Sequence, residues 1–232
     1  MYRWEKVSAS DLYGLASKWD ALAAKTHSRL VDEFYWVNAF AEAFEFSASL
    51  TFHTFYRQND LVAVVPLFRQ GGLFRTWCSA ENEHWPYWSF PWESESNTNA
   101  MSKEILVRLL SDADSILFQP VHLRGPIVAS FAAAARELAY PRSIAELNSG
   151  DSAIELKSSW EDFQNGLPSN LRRDLPRKLR QLERLGSLEM ETLTDGGEKL
   201  HRALNECFDL ETKGWKAVDG SPIKLNPQTL SF

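Results

Sequence analysis

The sequence predicts a mixed α/β fold. Two observations carry that prediction. Runs rich in β-branched and aromatic residues alternate with runs of helical period through residue 155. A hairpin pattern, "LTFHTFYRQNDLVAVVPLFRQ", supplies the clearest strand signal among them. With 44% hydrophobic and 24% charged residues, a chain of 232 residues has the composition of a globular protein and the length to bury a real core.

The elements follow in order. "SDLYGLASKWDALAAKT" places Leu12, Leu15, Trp19 and Leu22 at helical spacing behind Ser10, a plausible cap. "DEFYWVNAFAEAF" predicts a second, aromatic helix. In the hairpin, two strands flank a turn from Arg57 to Asp60, and Pro66 is expected at a strand end or bulge because it has no N–H for a ladder. "CSAENEHWPYWSFPW" reads as an aromatic strand or loop. A helix at "NAMSKEILVRLLSDA", a short strand at "SILFQPV" and a helix at "IVASFAAAARELAY" come next. "SSWEDFQNGLPSN" then leads into a basic segment, "SLEMETLT" reads as a strand, and "GGEKLHRALNECFDLETKGW" as a helix of about five turns.

Composition excludes several classes. A net charge of −6 argues against a general nucleic-acid coat, which needs a broad positive field. Cys78 and Cys207 lack metal-like spacing and read as free thiols of a reducing compartment. The N-terminus "MYRWEKVSASDL" has no apolar signal region, and "VASFAAAARELA" is too short and too charged to span a bilayer. A cytoplasmic location is the expectation. His27, His53, His84, His122 and His201 stand apart from one another, so no metal site is expected. No G-x-S-x-G, P-loop or Rossmann glycine run occurs.

Two segments carry candidate chemistry. "LRRDLPRKLRQLERLG" sets six positive charges against Asp174 and Glu183, a net +4 in an otherwise acidic chain. Leu175, Leu179, Leu182 and Leu185 form an apolar stripe, and Arg173, Arg177, Arg180 and Arg184 a second stripe alongside it. With Lys178, these arginines are a candidate anion site, because guanidinium groups recognise phosphate and carboxylate bidentately. The same pattern also describes a solvated helix face. Pro176 restricts Leu175, so the helix either begins near Asp174 or kinks there. In "ENEHWPYWSFPW", Glu81, Glu83 and His84 are candidate general bases beside an aromatic platform of Trp85, Tyr87 and Trp88; the alternative is that these aromatics plug a core.

Taken together, "SSWEDFQNGLPSNLRRDLPRKLRQLERLG", "FDLETKGWK" and "DGSPI" resemble the CelD-like branch of the GNAT acetyltransferases, associated with cellulose and other exopolysaccharide synthesis. Trp160, Leu167, Arg172 to Gly186, Trp215, Lys216, Gly220, Ser221 and Ile223 match in order and approximate spacing. The resemblance implies two GNAT-type units in tandem, in an architecture like that of the Fem-type peptidyltransferases. Residues 1–155 would form the first unit, and 156–232 the basic connecting helix with the incomplete start of the second. It further implies an acyl(acetyl)-CoA-dependent N- or O-acyltransferase acting on a small-molecule or saccharide acceptor. The alternative is a non-catalytic module, or half of a split enzyme, binding an anionic saccharide or nucleotide. Two departures stand out. Pro176 interrupts a helix that is usually uninterrupted, and no R/Q-x-x-G-x-G/A loop for the acyl-CoA pyrophosphate occurs before the chain ends at "PQTLSF". Acetyl-CoA is therefore expected of the family, with no cofactor-binding residue assigned in this chain. An unfinished second unit also implies self-association.

Overall fold

Strands form where β-branched and aromatic residues can be buried on both faces. The computed structural model describes residues 2–26, 29–44, 50–79, 88–93, 98–122, 125–142 and 154–232. Strand β1 (Tyr2–Ser8) is followed by a 3-10 helix (Ala9–Leu15), helix α1 (Ala16–Lys25) and helix α2 (Phe34–Ala43). The hairpin β2 (Leu50–Arg57) and β3 (Asp60–Gln70) forms as expected, with Arg57 paired to Asp60 across a two-residue turn in which Gln58 has φ +56°. Then come β4 (Thr76–Cys78), α3 (Thr98–Leu110), β5 (Ser115–Leu117) and α4 (Pro126–Glu137).

The five strands make one sheet in the order β1-β2-β3-β4-β5. All neighbours are antiparallel except β4 and β5, which run parallel with α3 as their crossover. Residues 52–56 and 61–67 are buried without a break, so both sheet faces are covered along β2 and β3. The core joins Trp19 of α1 to Phe34 and Phe52, with Phe40, Phe55, Leu67, Met101, Ile105 and Leu109 also fully buried.

Pro66 lies in the middle of β3, opposite Phe52, and not at an end or at the bulge between Phe55 and Tyr56. Its surroundings explain this. The Val64 N–H points away from β2 and donates to Pro91 O at 3.2 Å, while β4 pairs only from Phe68 onward. Two residues along from Val64, Pro66 faces the gap between these partners, where no ladder donor is needed.

After residue 153 the expected short helix is α5 (Trp160–Gly166), capped by the Ser159 side chain accepting from Asp162 N at 3.0 Å. Helix α6 (Ser169–Glu183) is continuous through Pro176, so it neither starts at Asp174 nor stops there. Helix α7 spans Glu198–Glu211, α8 Trp215–Asp219 and α9 Pro227–Ser231. "SLEMETLT" has no strand; residues 187–194 are irregular, with Met190 96% exposed. Chain contacts define two compact units, Met1–Glu146 with Glu211–Phe232, and Leu147–Leu210. In the first, the Phe232 ring packs against Trp36, Phe40 and Phe44 of and after α2.

Candidate functional site

A parallel strand pair joined by a crossover helix places its ligand crevice at the carboxyl ends of the strands. In the first unit that is the end formed by Cys78–Ser79 and Leu117–Gln119, and the described residues close it. Ser79, 1% exposed, donates its N–H to Leu117 O at 3.0 Å. Its hydroxyl donates to Gln119 O and accepts from Gln119 N, both at 2.7 Å. Trp88, 1% exposed, donates its backbone N–H to Pro120 O at 2.8 Å and its indole N–H to Pro66 O at 3.2 Å. Its ring stacks on Phe118 at 4.8 Å, and Phe118 meets Phe131 of α4 edge-on at 5.2 Å. Among the described residues this end of the sheet is hydrogen-bonded from strand to strand and packed with aromatic rings.

Trp88 therefore sits in the core, inside the first unit. Glu81, Glu83, His84, Trp85 and Tyr87 lie outside the described residues, as does His27.

His53 is fully buried on one sheet face between Trp4, stacked at 5.9 Å, and Trp77, edge-on at 4.5 Å. Trp4 Nε1 donates to His53 Nδ1 at 3.3 Å, so the neutral ring carries its proton on Nε2, a buried atom with no partner among the described residues. Burial, and next the Lys6 charge, push its pKa down to about 3, with Asp112 opposing. Asp112 accepts from Lys6 and from Trp77 Nε1 at 2.9 Å, and its backbone carbonyl accepts from Arg69 at 2.7 Å. Asp112 thus ties Lys6 and Trp77 through its carboxylate and Arg69 through its backbone carbonyl. A depression of about 340 Å³ beside α1 is lined by Lys18, Lys25, Asp60 and Glu93, and Glu93 already holds both Lys25 and Arg57.

In the second unit, the continuity of α6 settles the placement of the basic residues. At ~100° per residue, Arg173, Arg177, Arg180 and Arg184 span ~60° and lie about 180° from the leucine stripe. The two stripes are opposite faces, not adjacent ones. Lys178 lies about 130° from the centre of the arginine stripe, at the edge of the leucine face. All five cations are exposed, and among the described residues the stripe has one ion pair, Arg177 to Asp174 at 3.3 Å. The opposite face is also uncovered: Leu171, Leu175, Leu179 and Leu182 are 44–52% exposed.

Sequence reasoning missed the Ser79 clasp, because its partner is 40 residues away across a parallel pair. It also missed a small polar pocket at the α5–α6 corner, lined by Gln164, Asn165 and Arg172. The available signal was a Gln-Asn-Gly helix end two residues ahead of a new helix. Among the described residues no group of three His, Cys, Asp or Glu could hold a metal ion, and no helix is long and apolar enough to cross a membrane.

No family model matches the chain, and no curated protein does. Two solved structures are similar to it. One is a predicted acetyltransferase from Clostridium acetobutylicum with acetyl-CoA, at 14% identity and a TM-score of 0.37, covering 64% of this chain and 96% of that one. The other is a possible acetyltransferase from Clostridium difficile 630, at 8% identity and a TM-score of 0.39, covering 66% and 99%.

Proposed function

We propose that this chain binds an anionic acceptor on the arginine face of α6 and serves an acyl(acetyl)-CoA-dependent N- or O-acyltransferase of GNAT type. One observation carries the binding half of that reading. Four arginines stand exposed on a single narrow face of a continuous helix, and a single acid among the described residues pairs with them. The acyl-transfer half rests on the ordered set Trp160, Leu167, Arg172 to Gly186, Trp215 and Lys216, and Gly220 to Ile223. No described residue is assigned to the acyl donor. Glu81, Glu83 and His84 are the groups proposed to take the acceptor's proton, as carboxylates and an imidazole beside aromatic residues in the sequence. A saccharide acceptor, and with it a place in polysaccharide synthesis, follows the resemblance.

The closed β4–β5 end specifically favours a second reading, a non-catalytic module binding an anionic saccharide or nucleotide. The exposed leucines of α6 support self-association in either case.

Calorimetric titration with ADP, a soluble nucleoside diphosphate, tests the arginine face. Replacing Arg177, Arg180 and Arg184 together by Gln is expected to weaken binding at least ~tenfold, the loss of one or more charge-assisted hydrogen bonds. Unchanged affinity would return the arginines to a solvated face.

A further inference from the structure

Arg172 lies off the arginine stripe, about 110° from its centre and beside the leucine face. Its side chain, with those of Gln164 and Asn165, lines a pocket of about 160 Å³ whose apolar walls are Leu167 and Leu175. None of the three polar side chains has a hydrogen bond or ion pair among the described residues. The backbone explains why they meet. Helix α5 closes with Leu167 N donating to Gln164 O at 3.1 Å, and Leu167 and Pro168 are extended, with ψ of 147° and 143°. Helix α6 starts at once, with Arg172 N donating to Pro168 O at 3.0 Å. The last turn of one helix and the first turns of the next therefore share one corner.

The chemistry of this lining is specific. A single guanidinium grips a carboxylate with two parallel hydrogen bonds and matches its one charge. A phosphate dianion would be left half-compensated here, whereas the arginine stripe offers it several cations. The two carboxamides both donate and accept, which suits hydroxyl groups. The leucines suit a C–H face. The volume is well below the ~300 Å³ at which pockets for drug-sized ligands begin, so the occupant is about one small ring.

We propose that this corner binds a single hydroxylated carboxylate of sugar-acid size, such as glucuronate. Its carboxylate lies on Arg172, its hydroxyls on Gln164 and Asn165, and its ring on Leu167 and Leu175. The site is separate from the arginine face, since Arg177, Arg180 and Arg184 do not line it, and it does not depend on acyl transfer.

The test is a glucuronate titration of the full chain followed by ¹H–¹⁵N NMR on the side-chain amides of Gln164 and Asn165. Saturable shifts are expected with a dissociation constant on the order of millimolar, as befits one small open site. Arg172→Gln, an exposed position, should weaken binding about tenfold with helicity unchanged, and glucose and acetate should each bind wild type about tenfold more weakly. Absence of saturable shifts, or equal affinity in Arg172→Gln, overturns the site. Glucose binding as well as glucuronate removes the role of the carboxylate, and acetate doing so removes that of the amides and leucines; either result overturns the assignment of a hydroxylated carboxylate.

Discussion

At the residue scale, His53 shows how sheet geometry makes neighbours of residues far apart in sequence. By sequence it was one of five isolated histidines; in the fold Trp4, Trp77, Lys6 and Asp112 surround it. The nearest of these in sequence is more than 20 residues away, so no local motif could have signalled the cluster. Its effect on stability follows from proton linkage. The folded state holds the ring neutral down to about pH 3, while the unfolded chain protonates it near 6.5. Below 6.5 the unfolded state therefore binds more protons. The stabilisation is complete above that pH and is lost as pH falls toward 3, at up to about 1.4 kcal/mol per unit. Urea unfolding of wild type and His53→Phe from pH 7 to 4 should give curves that converge as pH falls. Parallel curves would show that His53 does not titrate on unfolding.

At the element scale, the hairpin, α1, α2, α3 and β5 were legible because period and turn chemistry agreed with burial. "SLEMETLT" was not, because alternation alone does not make a strand. With no partner ladder and with Leu188 and Met190 exposed, its β-propensity has nothing to pack against. Pro66 was misplaced because the sequence cannot show the gap between Pro91 and β4 that tolerates it. Helix α6 holds the reverse lesson. Pro176 was expected to start the helix near Asp174 or to kink it; the helix starts at Ser169 and runs through Pro176, which sets the arginines opposite the leucines. An interior proline removes the N–H that would bond the Arg172 carbonyl and costs up to about 3 kcal/mol. Pro176→Ala should therefore slow amide exchange across Ser169–Glu183 by one or more orders of magnitude. Unaltered exchange there would mean that Pro176 imposes no penalty on this helix.

At the scale of the whole molecule, the two units divide the physical chemistry between them. The first buries a continuous aromatic core and closes the end of its parallel strands with Ser79 and Trp88. The second has no buried residue among those described and carries the unpaired cations. The hydrogen bonds across β4 and β5 join residues about 40 apart in sequence and were not legible in it. The most direct measurement compares acetyl-CoA with ADP by calorimetry on the intact chain. If the arginines bind the phosphates and no cleft takes the rest, the two affinities should agree within about threefold. Acetyl-CoA binding at least ~tenfold more tightly than ADP would show that this chain houses the acyl arm, and would contradict the account.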